Sequence, residues 1–407
     1  MTRYLAYTSP ARGHLYPIVE TLRELSRRGH EVHVRTLASE VPALRALGLR
    51  TDRIDAAIER VTLDTWRAAT PQEGLARALA TFAERAEHEI PDLQEAIATV
   101  GPDVLMVDTT TVGAAAVADA TGIPWARSIP LFQQSWSWPG ASSGLTMVPF
   151  GLEPAGMEVL NGPRRRLGLS QIADPAEVWQ APLHLYYTAP PFAPSGLSYP
   201  ESFRLVGPGL WEPLTGAPEW LDELERPLVL VSVSSEFQRD DALIQTALTA
   251  LGAEDIHLVV TTAAHDPDRF DPPANARLTG WLPHGPLVQR AACVVCHGGM
   301  GITQKALASC VPVCVVPFGR DQFDVAHRVT ALEAGTVMLP FDLNATRLRS
   351  AVQRAMTMRP GARRVAAGFA AAGGAQAAAD ALEILAAAHG VDTQPRQPTL
   401  QVDSAHP

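Results

Sequence analysis

Two histidines each follow a predicted strand and precede a predicted helix. His14 comes after the strand at residues 3–8, and His297 closes the strand at residues 293–297. An imidazole titrates near neutral pH and therefore suits a general base that accepts a hydroxyl proton. Asp108 ends another predicted strand, and its carboxylate could orient the His14 ring and stabilise the imidazolium. The alternatives are a solvated histidine at a helix start and an aspartate that caps the next helix.

The residues after His297 form a glycine-rich turn that leads into a helix from about residue 302. The turn contains Gly298, Gly299 and Gly301, so several bare N–H groups and the positive end of a helix dipole can meet a phosphate. His297 itself could donate to a diphosphate oxygen, although a core histidine bonded to a carbonyl is the alternative. We also expect the positive end of the first helix to keep His14 neutral at rest.

Two further segments complete a predicted nucleotide-sugar pocket. Trp281 and Leu282 follow the strand at residues 276–280 and offer an aromatic face for a base. Asp321 and Gln322 follow the strand at residues 312–317, and their side chains suit sugar hydroxyls. A base-stacking residue, a phosphate turn and a hydroxyl reader on one stretch of chain together indicate a nucleotide-sugar site.

Length and composition favour a two-domain globular protein. The chain has 407 residues, 46% hydrophobic and 19% charged, with a net charge of −10. The negative balance argues against nucleic acid or an anionic membrane as a partner. The start of the sequence reads as a strand, and no apolar run approaches membrane-spanning length, so we expect a cytoplasmic protein.

Four cysteines lie close together and imitate metal or haem motifs. Cys293 and Cys296 lie three apart in one β-branched strand, where their side chains must point to opposite faces. Cys314 lies inside another predicted strand, so we expect buried, inert thiols. Asp266 and Asp268 imitate a metal-binding pair, but their proline-rich context indicates a turn. We therefore predict neither a metal site nor a resident cofactor.

Strands and helices alternate in both halves of the chain, which predicts an α/β protein with two doubly wound parallel sheets. The predicted division is a first Rossmann-like domain at 1–205, a linker at 206–218, a second such domain at 219–390 and a disordered tail at 391–407. Residues 50–70 lack a regular pattern, and the long helix at 71–100 contains Pro91 as a possible break. Ligands should bind in the cleft between the domains.

The glycine turn, the S-P-A-R-G-H-L-Y-P string at residues 9–17 and the Asp108 strand end together resemble one known family. This family comprises the nucleotide-sugar-dependent glycosyltransferases of the GT-B fold that decorate natural products in actinomycete bacteria. The resemblance covers nearly the whole chain and implies that His14 and Asp108 form a catalytic dyad. The donor-binding residues that it implies, together with the residues above, are Ser234, Ser235, Trp281, Leu282, His284, His297, Gly298, Gly299, Met300, Gly301, Ile302, Asp321 and Gln322.

The sequence departs from the family pattern at two positions. Ile302 stands where serine or threonine is common, and Lys305 stands where a glutamate usually holds ribose hydroxyls. Lys305 therefore favours a deoxyribose donor, a dTDP-sugar. At Ser234 and Ser235 a simple serine turn is the alternative to phosphate binding.

The resemblance implies an inverting transfer of a sugar to a hydroxyl of a hydrophobic small molecule, in a monomer or homodimer. The acceptor should lie in the first domain, against Gly13 and aromatic side chains. These candidates are Trp66, Phe82, Phe132, Trp136 and Trp138. A non-catalytic activator of a partner transferase and a nucleotide-sugar epimerase are the alternatives.

Overall fold

The first half of the chain forms a seven-stranded parallel sheet. The computed structural model describes residues 1–132, 154–173, 177, 181–194, 199–213 and 216–391. The sheet has the order β3-β2-β1-β4-β5-β6-β7. Its strands are β1 (Arg3–Tyr7), β2 (Glu31–Thr36), β3 (Arg50–Arg53), β4 (Val104–Asp108), β5 (Trp125–Ile129), β6 (Leu183–Tyr186) and β7 (Phe203–Leu205).

The second half forms a six-stranded parallel sheet with the order β10-β9-β8-β11-β12-β13. Its strands are β8 (Leu228–Ser232), β9 (His257–Thr261), β10 (Ala276–Thr279), β11 (Ala291–Cys296), β12 (Val313–Val315) and β13 (Gly335–Val337). Two parallel sheets joined through helices confirm the predicted fold class. The chain reverses its direction of winding between β1 and β4 and again between β8 and β11, and α/β proteins bind ligands beside such reversals.

Helices cover the faces of both sheets. The first-half helices are α1 (Arg12–Arg27), α2 (Val41–Ala46), α3 (Ala56–Arg60), α4 (Pro71–Val100), α5 (Val112–Thr121) and α6 (Pro154–Arg166). The second-half helices are α7 (Asp241–Leu251), α8 (His284–Arg290), α9 (Met300–Ala308), α10 (Gln322–Ala331), α11 (Ala345–Met356), α12 (Arg359–Ala371) and α13 (Gly374–Ala388). None of the described helices is long and apolar enough to cross a membrane.

Two local expectations differ from the structure. Helix α4 runs through Pro91 without interruption over 30 residues, because the loss of one backbone hydrogen bond is small beside the packing of so long a helix. The segment expected to be irregular contains β3, which pairs with β2 from His33 to Thr36. Alternating hydrophobicity is absent in β3, since three of its four side chains are exposed.

The last helix returns to the first half of the chain. Leu382 and Leu385 of α13 belong to the same hydrophobic core as Ile18 and Leu22 of α1. Arg28 at the end of α1 is also paired with Glu383 at 2.7 Å. The predicted division into 1–205, 206–218 and 219–390 remains a prediction, and α13 contacts α1 although it follows the second sheet in sequence.

The buried cysteines follow the predicted strand geometry. Cys293 packs with Cys314 on one face of the second sheet, whereas Cys296 belongs to the core on the other face. Burial raises the pKa of the Cys314 thiol to about 12. The opposite orientation of Cys293 and Cys296 is therefore confirmed, and their thiols are protonated side chains of the core. Asp266 accepts the amide of Asp268 at 3.0 Å, which is the predicted turn.

Several predicted features fall on parts of the chain outside the described residues. Trp136 and Trp138 lie outside them, and so do all residues of the predicted tail except Val391.

Candidate active site

Each winding reversal holds one of the predicted histidines. His14 lies in the first turn of α1, directly after β1, and Asp108 is the last residue of β4 beside it. Ser234 follows β8, and His297 follows the neighbouring β11. The carboxyl ends of parallel strands lie at one edge of a sheet. His14 and Asp108 therefore lie at the same edge of the first sheet, and Ser234 and His297 at the same edge of the second, beside the reversals where such folds bind ligands.

His14 and Asp108 form a close hydrogen-bonded pair. His14 Nδ1 lies 2.7 Å from Asp108 Oδ2, and the Asp108 side chain is fully buried. The other carboxylate oxygen accepts the backbone N–H and the hydroxyl of Thr110. Helix α5 has Thr111 as its N-terminal cap, without a side-chain bond, so Asp108 does not cap it. Thr110 holds one oxygen of the Asp108 carboxylate, and the other oxygen orients the imidazole through Nδ1. Nε2 is then the ring nitrogen that can take a proton.

The electrostatics of His14 differ from the sequence-based expectation of a neutral resting base. Burial lowers the pKa of the imidazole, but the Asp108 carboxylate outweighs burial and the net pKa is raised. Asp321 raises the pKa further, and Arg320 lowers it. A full carboxylate charge at hydrogen-bond distance is stronger than the partial charge of a helix end, so the pKa of His14 shifts in the direction opposite to the one expected from the dipole alone.

The turn after His297 depends on its glycines. Gly298 has φ +91°, and a Cβ there would lie 2.8 Å from Val315 Cγ1. A Cβ on Gly299 would lie 2.4 Å from His297 Nε2, so the buried imidazole packs directly over that glycine. Burial lowers the pKa of His297, while Asp240 and the Ser232 carbonyl oppose this shift. A mainly neutral His297 over a bare backbone is a compact hydrogen-bonding group at the start of α9.

The first residues of α9 divide into core and open positions. Met300 and Ile302 pack into the second-half core, so Ile302 has only its backbone N–H to offer a phosphate. Gly301 is exposed, and a Cβ there would meet nothing within 4 Å. The start of α9 therefore offers backbone groups to a ligand, and the Ile302 side chain is directed into the core.

Ser234 belongs to a buried hydrogen-bond network that follows β8. Its N–H donates to Asp240 Oδ2 at 2.8 Å, and its hydroxyl accepts from the Glu236 amide and from Gln238 Nε2. The serine turn considered as an alternative is therefore present, whereas Ser235 is exposed. His265 supports the network through a 2.8 Å bond to Asp240 Oδ1.

The side chains of Asp321 and Gln322 form hydrogen bonds with other residues of the chain. Asp321 Oδ2 accepts the N–H of Phe132, which joins the two halves of the chain at 2.8 Å. Gln322 Oε1 accepts the amides of Phe318 and Gly319, and its Nε2 donates to Gln238 Oε1. Gln322 is buried, so its predicted contact with sugar hydroxyls would require it to share or exchange these partners.

The predicted base-stacking segment is partly exposed. Trp281 is 43% exposed, which leaves a ring face accessible, and Leu282 packs partly against the second-half core. His284 instead bonds to the Thr261 hydroxyl at 3.0 Å, and burial lowers its pKa to about 4. His284 is therefore engaged within the fold.

Glu212 contacts His284 and Lys305, although the sequence analysis did not single it out. Its carboxylate accepts the amides of His284 and Gly285 at 2.9 and 2.6 Å and lies 2.6 Å from Lys305 Nζ. Burial raises the pKa of Glu212, but Lys305 and the two amides outweigh burial and the net pKa is lowered. A Cβ on Gly285 would lie 2.8 Å from Glu212 Oε1, so the glycine makes room for this carboxylate. A lone glutamate in a proline-rich linker gave no signal for this role.

The predicted acceptor residues have different surroundings. Trp66 contacts Phe237 edge to face, with centroids 4.9 Å apart, and bridges the two halves of the chain. Phe132 is buried and packs on Phe192, whereas Phe82 of α4 is buried in a cluster with residues of α5 and α6. Gly13 has open space where a Cβ would be. Of the acceptor candidates that the structure describes, Trp66 and Gly13 are thus the more exposed.

Known proteins resemble this chain over most of its length. The erythromycin biosynthesis protein CIII-like C-terminal domain matches residues 245–385. The 4′-demethylrebeccamycin synthase of Lentzea aerocolonigenes is 30% identical over 387 residues, which cover 86% of this chain and 91% of that enzyme. The chain belongs to the natural-product glycosyltransferase family. As a member of that family, it is a nucleotide-sugar-dependent glycosyltransferase.

Solved glycosyltransferase structures share the fold. The calicheamicin glycosyltransferase CalG4 superposes with a TM-score of 0.76 at 21% identity and covers 95% of this chain and 98% of its own. The glycosyltransferase VinC, solved in complex with dTDP, has a TM-score of 0.73 at 21% identity and covers 95% of this chain and all of its own, 100%. This glycosyltransferase therefore has the GT-B architecture that the sequence predicted.

Proposed function

We propose that this glycosyltransferase transfers a sugar, with inversion, from a nucleotide donor to a hydroxyl of a hydrophobic natural-product acceptor. The observation that carries the proposal is the 2.7 Å pair of His14 and Asp108 at the first winding reversal. His14 Nε2 removes the acceptor proton, and the acceptor oxygen attacks the anomeric carbon as the diphosphate leaves. A single displacement on the face opposite the leaving group inverts the anomeric configuration.

The second half of the chain is proposed to hold the donor. Trp281 stacks on the base, while the amides after His297 and the His297 ring bind the diphosphate. His14 acts as a base in its deprotonated form and becomes an imidazolium when it takes the acceptor proton. The Asp108 carboxylate raises the pKa of His14, which means that it stabilises this imidazolium. Support for the acceptor class comes from the relative named as a rebeccamycin-type synthase.

Turnover tests the proposal directly. The purified protein is incubated with dTDP- and UDP-sugars, with and without a panel of hydroxylated aromatic and macrolide acceptors. We expect diphosphate release that requires an acceptor, and a product whose anomeric NMR coupling shows inversion. Retention of configuration would contradict the mechanism, and isomerised sugar without acceptor would indicate an epimerase.

Metal independence is a separate expectation. Backbone amides at the start of α9 are the proposed diphosphate donors, and the described residues include no group of three or more His, Cys, Asp or Glu side chains placed to hold a metal ion. We expect full activity in excess chelator and no stoichiometric metal in the purified protein. Loss of activity that Mg²⁺ or Mn²⁺ restores would overturn this expectation.

The proposed donor is a dTDP-sugar. Lys305 occupies the position from which a glutamate would grip ribose, and its ammonium is already paired with Glu212. Position 305 therefore offers no carboxylate to accept hydrogen bonds from the two ribose hydroxyls. The methyl group of thymine would add apolar contact. The relative VinC was solved with dTDP, which supports this choice.

We therefore expect dTDP to bind at least as tightly as UDP in calorimetric titrations. UDP binding more than about tenfold tighter, a gap of 1.4 kcal/mol, would contradict the proposal. Lys305→Glu alone would set a second carboxylate against Glu212, so the informative variant is Lys305→Glu combined with Glu212→Gln. We expect this pair to shift the preference toward UDP, while Glu212→Gln alone serves as the matched control.

A further inference from the structure

Arg320 occupies a loop that its neighbours hold rigidly between β12 and α10. Gln322 Oε1 accepts the amides of Phe318 and Gly319, and Asp321 Oδ2 accepts the N–H of Phe132. Arg320 itself has φ +57°, in the left-handed region that costs free energy for any residue with a Cβ. A strained backbone conformation of this kind persists only where many surrounding contacts hold it in place, and such residues are common at functional sites.

The Arg320 side chain extends toward the first half of the chain. Its Nε donates to Thr65 Oγ1 at 3.4 Å, in the segment that also carries Trp66. Arg320 is half-buried, and its loop packs on the glycine-rich turn, because a Cβ on Gly298 would lie 3.2 Å from the carbonyl oxygen of Gln322. Burial is the largest influence on the pKa of His14 and of His297, and the charge of Arg320 lowers each pKa in addition. Arg320 therefore lies on a loop that borders the glycine-rich turn and reaches Thr65 in the first half of the chain.

The terminal nitrogens of Arg320 have no carboxylate within 4.0 Å in the ranges that the structure describes. Burial lowers the Arg320 pKa, and the charges of Glu236, Asp321 and Asp240 oppose this shift from farther away. Asp321 is bonded to Phe132, and Asp240 is bonded to Ser234 and His265. A guanidinium carries five N–H donors in a planar fork. Among the described residues its one hydrogen bond runs from Nε to Thr65, so the other donors can meet a ligand oxygen.

We propose that Arg320 is a further catalytic residue, which donates hydrogen bonds to the departing diphosphate of the nucleotide sugar. The inference rests on the proposed glycosyl transfer. In that step the acceptor oxygen bonds to the anomeric carbon, the bond from that carbon to the diphosphate oxygen breaks, and its electron pair stays on the diphosphate. The acceptor proton goes to His14. The guanidinium fork matches the growing charge on the phosphate oxygens and is already oriented before reaction.

Nucleotide binding by wild type and Arg320→Gln tests the contact without any acceptor. The first probe is dTDP or UDP, whichever binds wild type more tightly. The second probe is the corresponding nucleoside, which lacks phosphates. We expect at least about tenfold weaker diphosphate binding in the variant and unchanged nucleoside binding. Arg239→Gln is the matched control, because Arg239 is also left-handed (φ +54°) but exposed, with its guanidinium over Trp66. This control should bind the diphosphate as wild type does.

Steady-state kinetics supply the second readout. We expect Arg320→Gln to lower kcat by about 10²- to 10³-fold and Arg320→Lys to recover part of this loss. Unchanged diphosphate affinity, or an equal loss for nucleoside and diphosphate, would overturn the proposal. A selective loss of affinity for an acidic acceptor such as 1-hydroxy-2-naphthoate would assign Arg320 to the acceptor instead. If wild type binds the diphosphate but transfers no sugar, the proposed function fails, while the binding comparison still decides the Arg320 contact.

Discussion

Replacement of His14 by alanine is expected to lower sugar transfer by about 10²- to 10⁴-fold, the range that general base catalysis contributes. Nucleoside diphosphate binding should remain, because His14 follows β1 whereas the proposed donor residues follow strands of the second sheet. At the first winding reversal, His14 is the one imidazole among the described residues that is paired with a fully buried carboxylate. The loss should therefore appear in kcat and not in donor affinity.

The measurement is steady-state turnover together with calorimetric titration of the diphosphate. His327→Ala is a suitable control, since His327 is exposed on α10. Turnover near the wild-type rate in the His14 variant would remove His14 from the mechanism. A parallel loss of diphosphate affinity would indicate that the substitution disturbs the cleft as a whole.

Asp108→Asn is expected to cause the second-largest loss, again about 10²- to 10⁴-fold in kcat. The amide is nearly isosteric and can still accept from Thr110, so the fold should tolerate it. The amide cannot stabilise the imidazolium, however, and its NH₂ group can hold the ring in the wrong tautomer. Wild-type kcat in this variant would show that the dyad does not operate.

The pH profile gives Asp108→Asn an independent signature. Asp108 raises the pKa of His14 against the lowering effect of burial, so the acid limb of kcat/KM should lie above the ordinary histidine value of about 6.5. Without the carboxylate, that limb should move to lower pH. The pair also contributes stability that is fully present below the unfolded-state pKa and is lost as pH rises through the folded-state pKa. Thermal unfolding of both proteins across this range measures that contribution, and an acid limb that does not move would contradict the assignment.

Short-range patterns in the sequence were enough to identify the fold class and to place the candidate site residues at the ends of strands. The spacing of hydrophobic residues distinguishes strands from helices, and the alternation of the two predicted two parallel sheets. His14, Asp108 and His297 each follow or end a strand, and parallel strands bring such residues to one edge. The opposite faces of Cys293 and Cys296 followed from the two-residue period of a strand.

The tertiary structure alone decided how these positions are connected. Lys305 meets Glu212 across 93 residues of sequence, and Asp321 meets the Phe132 amide across 189. Arg320 reaches Thr65, and α13 returns to α1. No local period encodes such contacts, because they arise only when the two halves of the chain pack together. The same packing sets the balance of burial against nearby charge, so the direction of the His14 pKa shift could not be read from the sequence.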